Sequence, residues 1–189
     1  FQWWPGVPIS HSRDLVHWTK HGPAFRKHAP EKVMGSRSGV VVSRRDGDRL
    51  IAAKIDGKYW MYYTHPCAIA WSENLIDWVP VGKAVWPGGG REAGAIALLR
   101  DDGILLMTQG GHRSLGAWVL RQALIAPADR KTVLKEQKEP FLWPQYEWEK
   151  KGFVGNTTVA NALIPFKGKW WLYYGAADRA IGVATCAIE

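Results

Sequence analysis

Three carboxylates stand in sequence contexts that would allow acid–base chemistry. Glu92 lies in the stretch REAG, Glu147 in QYEWEKKG and Asp178 in YYGAAD. In enzymes, one carboxyl group of a pair can donate a proton while the other accepts one. The glycine and alanines before Asp178 also allow a ligand to approach the backbone closely. Each carboxylate has a plain alternative: a surface ion pair for the two glutamates, and a hairpin turn for Asp178.

Tryptophan is unusually frequent and points to a sugar as a possible ligand. The chain has 12 tryptophans among 189 residues. An indole buries a large area and needs a partner for its N–H group. Its flat face can also stack on the apolar face of a sugar ring. Core packing explains most of the tryptophans, and a carbohydrate site would explain the excess.

Charge and hydropathy argue against two classes of partner. The net charge is +8, but acidic residues are interleaved with the basic ones, and the tight basic pair at 44–45 is followed at once by aspartates. This pattern is typical of a solvated basic surface rather than a nucleic-acid site. Because no run of about 18 apolar residues occurs, no membrane-spanning helix is predicted. Cys67 and Cys186 are expected to be free thiols.

No metal or cofactor is predicted. His11, His17 and His21 fall within one short stretch but lack a coherent ligand spacing. The glycines at 88–90 do not match a phosphate-binding motif and are predicted to form a flexible turn.

The elements that would position these side chains are repeated. The phrase ISHSRDLVHWTKHGPAF at 9–25 returns as IAWSENLIDWVPVGKAVW at 69–86, with Ser, Leu, Trp and Gly at the same offsets. We interpret the phrase as a turn with a buried leucine and tryptophan. Repeats a few tens of residues apart are typical of solenoids and propellers.

Short β-rich runs separated by tight turns fill the rest of the chain. SGVVVS, RLIAAKI, KYWMYYT and AIAWS follow one another over 38–72, with Asp-Gly turn signals at 46–47 and 56–57. GKYWMYYT is echoed by GKWWLYYG, and AGAIALL and ILLMTQG flank the turn at 101–103. Such four-stranded meanders have the size of a propeller blade. We count one partial blade at 1–25 and three fuller ones, with 122–152 as a longer connection that carries a short helical turn.

The chain resembles a known family over roughly residues 30–187. The segments that carry the resemblance are SRSGVVVS, KIDGKYWMYYTHPCAIAWSENLIDWVPV, REAGAIALLRDDGILLMTQGG and EPFLWPQYEWEKKGFVGNTTVANALIPFKGKWWLYYGAADRAIGVA. They look like glycoside hydrolase family 130, which comprises β-mannoside phosphorylases and β-mannosidases on a five-bladed β-propeller. The opening FQWWPGVPISHSRDLVHW looks more like family 43.

This resemblance implies an all-β fold of five-bladed propeller architecture. The family carries a catalytic aspartate in a DPR-like motif of its first blade, and no such motif occurs in this sequence. We therefore expect residues 1–189 to form a single propeller domain that is incomplete, with about three to four blades. The expected truncation is at the N-terminus and would remove the general acid.

The resemblance also implies which reaction is favoured. Phosphorylases of the family usually carry a histidine where this chain has Gln109, and a lysine where it has the pair Arg91-Glu92. Glutamine cannot supply positive charge, and a carboxylate would repel phosphate. A carboxylate at Glu92 could instead take a proton from water. We therefore predict an inverting, exo-acting hydrolase of β-mannosides or manno-oligosaccharides, with Glu92 as the base and Glu147 as the second catalytic carboxylate.

Further positions are implied in sugar binding. In the family, the aspartate at the position of Asp178 binds sugar hydroxyls, and a lysine usually occupies the position of Arg37. Asn161 departs from the glutamate of the hydrolases, and an amide cannot serve as acid or base. The predicted substrate-binding residues are Asp178, Arg37, Arg91, Tyr174, His65, Gln109 and Asn161.

Three alternatives to a hydrolase of β-mannosides stay open from the sequence. They are a β-mannoside phosphorylase, a family 43-like arabinofuranosidase or xylosidase, and a truncated, inactive relative that binds carbohydrate. The expected partner in each case is a carbohydrate. The sequence specifies neither the linkage, the oligomeric state nor the compartment.

Overall fold

The computed structural model describes residues 6–29, 38–63, 67–85 and 91–188. The first unit is a hairpin of β1 (Pro8–His11) and β2 (Thr19–Pro23). The first meander contains β3 (Gly39–Asp46), β4 (Arg49–Ala52), β5 (Lys54–Ile55), β6 (Lys58–Tyr63), β7 (Ala68–Ser72) and β8 (Val79–Ala84). The second meander contains β9 (Glu92–Arg100), β10 (Gly103–His112), β11 (Ala117–Ile125) and β12 (Val133–Glu136). The third contains β13 (Thr158–Phe166), β14 (Lys169–Ala176) and β15 (Ala180–Ala187).

These described units confirm the predicted all-β class. Their order, one hairpin and then three meanders, is compatible with the predicted partial blade followed by three fuller ones. The strands of each meander pair antiparallel. They follow chain order in the second and third meanders, whereas in the first β3 pairs with both β4 and β6, and β5 pairs with β6. The inner strands β3 and β9 then lie side by side in parallel, joined at Val42–Ala97 and Ser43–Leu98. A parallel bridge joins Trp118, at the start of β11, to Thr157, just before β13. Because β9 and β11 are both antiparallel to β10, β13 runs in the same direction as β9.

The hydrophobic core is divided among the spaces between successive units. Val42 and Tyr62 of the first meander pack with Leu106 and Ile125 of the second. A second cluster joins the second meander to the third, and a further cluster joins the hairpin to the first meander. Because each sheet is covered by its neighbours, inner strands are apolar on both faces and lack a clean alternation.

One prediction about the fold was wrong. Segment 122–152 is not simply a connection, because β11 continues to Ile125 and β12 follows after the predicted helical turn. β12 is an outermost strand whose side chains are mostly exposed, so its composition resembles that of a loop. The described ranges contain one α-helix, α1 (Glu147–Lys150), and one 3-10 helix (Arg113–Leu115). No described helix is long and apolar enough to cross a membrane.

The repeated phrase forms the same turn twice, as predicted. Ser12 Oγ accepts the backbone N–H of Leu15 at 2.8 Å, and the Asp14 side chain accepts the N–H two residues on at 2.9 Å. Trp18 Nε1 donates to the carbonyl of Leu15 at 3.1 Å, and Leu15 has φ +63°. The second copy, at 72–78, repeats these bonds at 2.9, 2.9 and 3.2 Å, with a leucine φ of +65°.

A third copy of the turn joins β11 to β12. Asp129 accepts the backbone N–H groups of Lys131 and Thr132, both at 2.9 Å, and Arg130 has φ +60°. This copy lacks the serine, leucine and tryptophan of the other two, so the sequence did not reveal it. The three turns occupy the same place, between the last two strands of a unit. What they share is an Asx acceptor followed by a left-handed residue.

Burial differs between the first two copies. Trp78 is fully buried, whereas Trp18 is 52% exposed and Leu15 is 78% exposed. Residues 24–27 cover the second copy. The backbone N–H of Trp78 donates to the Ala24 carbonyl at 2.9 Å, and the Lys27 ammonium pairs with the Asp77 carboxylate at 2.8 Å. The expectation of a buried leucine and tryptophan therefore fails for the first copy.

Candidate active site

Strand direction brings several predicted site residues to one end of the blades. Glu92 opens β9, and the antiparallel return of β10 places Gln109 opposite it. Thr158 opens β13 at the same end, because β13 runs parallel to β9. The hairpin turn that carries Asp178 lies beside Thr158, since Thr158 is paired with Ala176. One rim therefore collects Glu92, Gln109 and Asp178.

Glu92 and Gln109 form a cross-strand pair. The amide oxygen of Gln109, a buried residue, accepts the backbone N–H of Ala160 at 3.0 Å. Because a backbone N–H can only donate, this bond fixes the amide orientation and turns Nε2 toward the half-buried Glu92. Nε2 lies 3.5 Å from Glu92 Oε2, at the long end of the hydrogen-bond range. Glu92 thus has a neutral amide as its partner among the described residues.

Arg91 does not turn toward Glu92. Its guanidinium forms an ion pair with Glu136 of β12, and both side chains are mostly shielded from solvent. The buried Arg121 lies in the same region, and burial, followed by the charge of Arg91, lowers its pKa. The predicted substrate-binding role of Arg91 therefore has a competing structural partner. The simple pairing of Arg91 with Glu92 that the sequence allowed is not formed.

Glu147 is a surface residue in this structure. Its side chain is 72% exposed and pairs with Lys151 at 2.8 Å, and this hydrogen bond lowers the pKa of the carboxyl group. The geometry favours the surface ion pair that the sequence left open as the alternative. The structure does not bring Glu147 to Glu92.

Glu149, two residues later, is buried, with 3% exposure. Its Oε2 accepts the backbone N–H groups of Gln145 at 2.6 Å and Tyr146 at 2.9 Å, and its Oε1 accepts the hydroxyl of Tyr174 at 2.7 Å. Sequence reasoning missed this residue. The available signal was a glutamate three residues after Tyr146, the residue that caps the start of the helix, as in a capping box.

Tyr174 is committed to this network. Burial, followed by the hydrogen bond to Glu149, raises the pKa of the phenol. Its ring also packs against Trp148, with centroids 6.2 Å apart. The exposed ring of Trp148 is therefore available for ligand contact, whereas the Tyr174 hydroxyl already donates to Glu149.

Asp178 lies in a strained hairpin turn. Ala177 and Asp178 have φ of +51° and +50°, and Arg179 N–H donates to the Ala176 carbonyl at 3.0 Å. Two successive positive φ values suit glycine or asparagine and cost other residues energy, a feature that often marks functional sites. The side chain is exposed at the rim. Its sugar-binding role stays a prediction.

The remaining predicted residues are divided between the rim and the parts of the chain that are not described. Asn161 is an exposed residue at a β-bulge between Ala160 and Ala162. Arg37 and His65 lie outside the described residues. Across the described ranges, no group of three or more His, Cys, Asp or Glu side chains could hold a metal. His11 and His21 nevertheless meet across the hairpin, with ring nitrogens 2.8 Å apart.

Comparison with known proteins decides the family. The profile of glycoside hydrolase family 130, described as β-1,4-mannooligosaccharide phosphorylase, matches residues 6–189. The chain belongs to glycoside hydrolase family 130. The predicted family is therefore confirmed, and so is the propeller architecture that its solved members share. Members of this family are glycoside-processing enzymes. The match includes residues 6–18 of the opening segment that looked more like family 43.

Curated relatives of this family 130 chain are phosphorylases. A 1,2-β-oligomannan phosphorylase of Thermoanaerobacter sp. (strain X514) is 31% identical over 162 residues, which are 81% of this chain and 54% of that protein. A β-1,2-mannobiose phosphorylase of Listeria innocua is 28% identical over 160 residues, which are 76% of this chain and 44% of that protein. The chain thus spans about half the length of these curated relatives.

Solved structures include hydrolases. A putative glycoside hydrolase from Parabacteroides distasonis superposes with a TM-score of 0.91 and 30% identity, covering 97% of this chain and 60% of that one. A second structure comes from work on family 130 glycoside hydrolases that target β-1,2 mannosidic linkages in Candida mannan. It superposes with a TM-score of 0.90 and 29% identity, covering 100% of this chain and 61% of that one. A thermostable family-43 glycoside hydrolase, at 16% identity and a TM-score of 0.66, shares the fold alone.

Proposed function

We propose that this chain carries the catalytic base of an inverting, exo-acting hydrolase of β-mannosides, and that Glu92 is that base. The substrate class follows from the relatives, whose names specify β-mannosides or manno-oligosaccharides. The reaction type follows from the surroundings of Glu92. In an inverting hydrolase, a carboxylate activates water on the face of the sugar opposite the general acid, with roughly 6.5–9.5 Å between the two carboxyl groups.

The neutral partner of Glu92 is the observation that carries this proposal. Phosphate binding calls for cationic donors, of which Arg and Lys are the usual ones. Here the amide of Gln109 is fixed toward Glu92, and Arg91 is paired with Glu136. A carboxylate beside a neutral amide repels a phosphate dianion and can accept a proton from water. The proposal assigns only the base, because the sequence holds no DPR-like motif for the acid.

Phosphorolysis is the second candidate, because the curated relatives are phosphorylases at 28–31% identity. The two reactions give different products from the same substrate. Hydrolysis of β-1,2-mannobiose releases two mannose molecules, whereas phosphorolysis releases mannose and mannose 1-phosphate. Proton and phosphorus NMR distinguish them directly, and early spectra report the anomer that is released.

The experiment incubates the chain with β-1,2-mannobiose, aryl β-mannoside, arabinofuranoside and xyloside, with and without phosphate. We expect mannose release from the aryl β-mannoside that does not depend on phosphate, because a stabilised phenolate departs without protonation by a general acid. Glu92→Gln should lower turnover about 10²–10⁴-fold, the usual contribution of a general base. Glu147→Gln is the matched control and should keep wild-type turnover. A requirement for phosphate, full activity of E92Q, or no turnover of the aryl β-mannoside by the wild-type chain would each contradict the proposal.

A further inference from the structure

Two exposed aromatic rings lie parallel on the segment that precedes β13. The ring planes of Tyr146 and Trp148 differ by 6° and their centroids are 6.2 Å apart. Tyr146 is 61% exposed and Trp148 is 42% exposed. Large aromatic side chains grouped at the surface commonly mark binding sites. Here the two rings form a stacked pair whose exposed ring surface has one orientation.

Buried polar contacts hold this aromatic pair in place. Glu149 lies beneath it and accepts the backbone N–H of Tyr146 at 2.9 Å and the hydroxyl of Tyr174 at 2.7 Å. The Tyr174 ring supports Trp148 from below. A face that is ordered before binding loses little side-chain entropy when a ligand arrives. The burial of a carboxylate under two exposed rings therefore serves to preorganise them.

A chain of contacts through the fold links the pair to the proposed catalytic site. Trp148 contacts Tyr174, and Tyr174 is the cross-strand partner of Ala160. The N–H of Ala160 in turn donates to Gln109, which faces Glu92. One unbroken set of contacts thus joins the exposed rings to the candidate base.

We propose that Tyr146 and Trp148 form a platform that binds a sugar unit of a manno-oligosaccharide beyond the unit that is cleaved. A pyranose presents apolar C–H groups on its face and hydroxyls around its edge. The exposed part of the stacked pair offers apolar ring surface, with a phenol O–H and an indole N–H at the ring edges. The substrate class rests on the proposed function, whereas the platform itself is tested by binding.

Local charge favours a neutral sugar over a nucleic acid. Segment 147–151 holds two acidic and two basic side chains, and one pair of them, Glu147 and Lys151, is already joined by an ion pair. Binding of an anionic backbone would need an excess of positive charge there. A neutral oligosaccharide needs none.

Isothermal titration of the whole chain with β-1,2-mannotetraose and with mannose tests the platform. We expect the tetrasaccharide to bind more tightly than mannose. Trp148→Ala and Tyr146→Ala should each raise the Kd of the tetrasaccharide at least about tenfold and leave the weak affinity for mannose unchanged. Trp18→Ala is the matched control, since Trp18 is similarly exposed but lies on the hairpin unit. It should bind as the wild type does.

Titration of the Glu92→Gln variant separates this platform from the proposed reaction. That variant should bind the tetrasaccharide like the wild type even when it has no activity. If E92Q keeps full turnover while W148A loses affinity, the proposed base is wrong and the platform stands. Unchanged tetrasaccharide affinity in W148A and Y146A overturns the platform. So does an equal loss in W18A, or the absence of tetrasaccharide binding by the wild type.

Discussion

Glu147 and Glu149 show how burial separates two carboxylates of the same short helix. Glu147 faces solvent and pairs with Lys151, whereas Glu149 accepts three hydrogen bonds beneath the helix. An exposed ion pair contributes little to stability, because water screens it. A buried acceptor whose removal leaves donors unpaired is costly to lose.

This contrast predicts that two alanine substitutions in the helix differ in their effect on stability. Glu149→Ala leaves the Tyr174 hydroxyl and two backbone N–H groups without their acceptor. It should lower the free energy of unfolding by about 2–4 kcal/mol, since unpaired buried donors cost about 1–3 kcal/mol each and water reaches some of them. Glu147→Ala should leave it unchanged. Urea denaturation of both variants measures this, and equal losses would contradict the assignment.

Residue patterns predicted the site only in part. Gln109 and Glu92 were singled out through the family resemblance, and the structure places them opposite each other. Glu149 was overlooked because a glutamate among lysines looks like a solvated charge. Its burial depends on Tyr174, which is 25 positions away in the chain. No local pattern reports a contact at that separation.

At the scale of elements, the turn between the last two strands of a unit has a simple requirement. All three copies use an Asp or Asn side chain to accept backbone N–H groups, followed by a residue of positive φ. The leucine and tryptophan shared by two copies made the repeat visible in sequence. They are not what forms the turn, since the third copy lacks both. Sequence similarity therefore found two copies and missed the third.

The third copy predicts a pH dependence. Hydrogen bonds from the Thr132 side chain, and then from the backbone of Thr132 and Lys131, lower the pKa of Asp129 to about 2. The unfolded value is about 3.9, so the ionised form stabilises the fold above about pH 4. This stabilisation is lost as the pH falls from about 4 to about 2.

Asp129→Asn should remove that dependence and keep the turn, because Asn74 accepts equivalent bonds in the second copy. Thermal unfolding of the wild type and D129N from pH 7 to pH 2 measures how their stability depends on pH. We expect the Tm difference between wild type and D129N to be constant above pH 5 and to shift against the wild type below pH 4. Asp129→Ala, which forms no turn bonds, should be less stable than D129N throughout. Parallel wild-type and D129N profiles would contradict the pKa assignment.

At the scale of the whole molecule, Arg130 joins two blades. It belongs to the turn of the second meander, yet its guanidinium lies 4.0 Å from the ring centroid of Trp60 and bonds Asp56 at 2.7 Å in the first. The Tyr62 hydroxyl also donates to the Arg130 carbonyl at 3.0 Å. The side chain is largely buried, so solvent screens these contacts less than at an open surface.

Arg130→Ala should lower the free energy of unfolding by about 1–2 kcal/mol, because it removes a desolvated cation–π contact and an ion pair. The free energy of unfolding of Arg130→Lys should lie between those of the wild type and R130A, since lysine keeps the charge but not the planar stacking group. Arg49→Ala is the control, because Arg49 pairs only with Asp46 within its own exposed hairpin. Denaturation curves compare the three variants. An R49A effect as large as that of R130A would contradict the bridging role.

The junction between β3 and β9 consists of two residue pairs, Val42–Ala97 and Ser43–Leu98. Within the described ranges these are the only paired strand positions between the two meanders, and a shared apolar core makes most of the remaining contact. A blade can therefore open to solvent without dismantling the ladder of its neighbour. We expect the meanders to unfold as semi-independent cooperative units, so that rim residues from different blades keep their spacing only while the apolar core between those units stays closed.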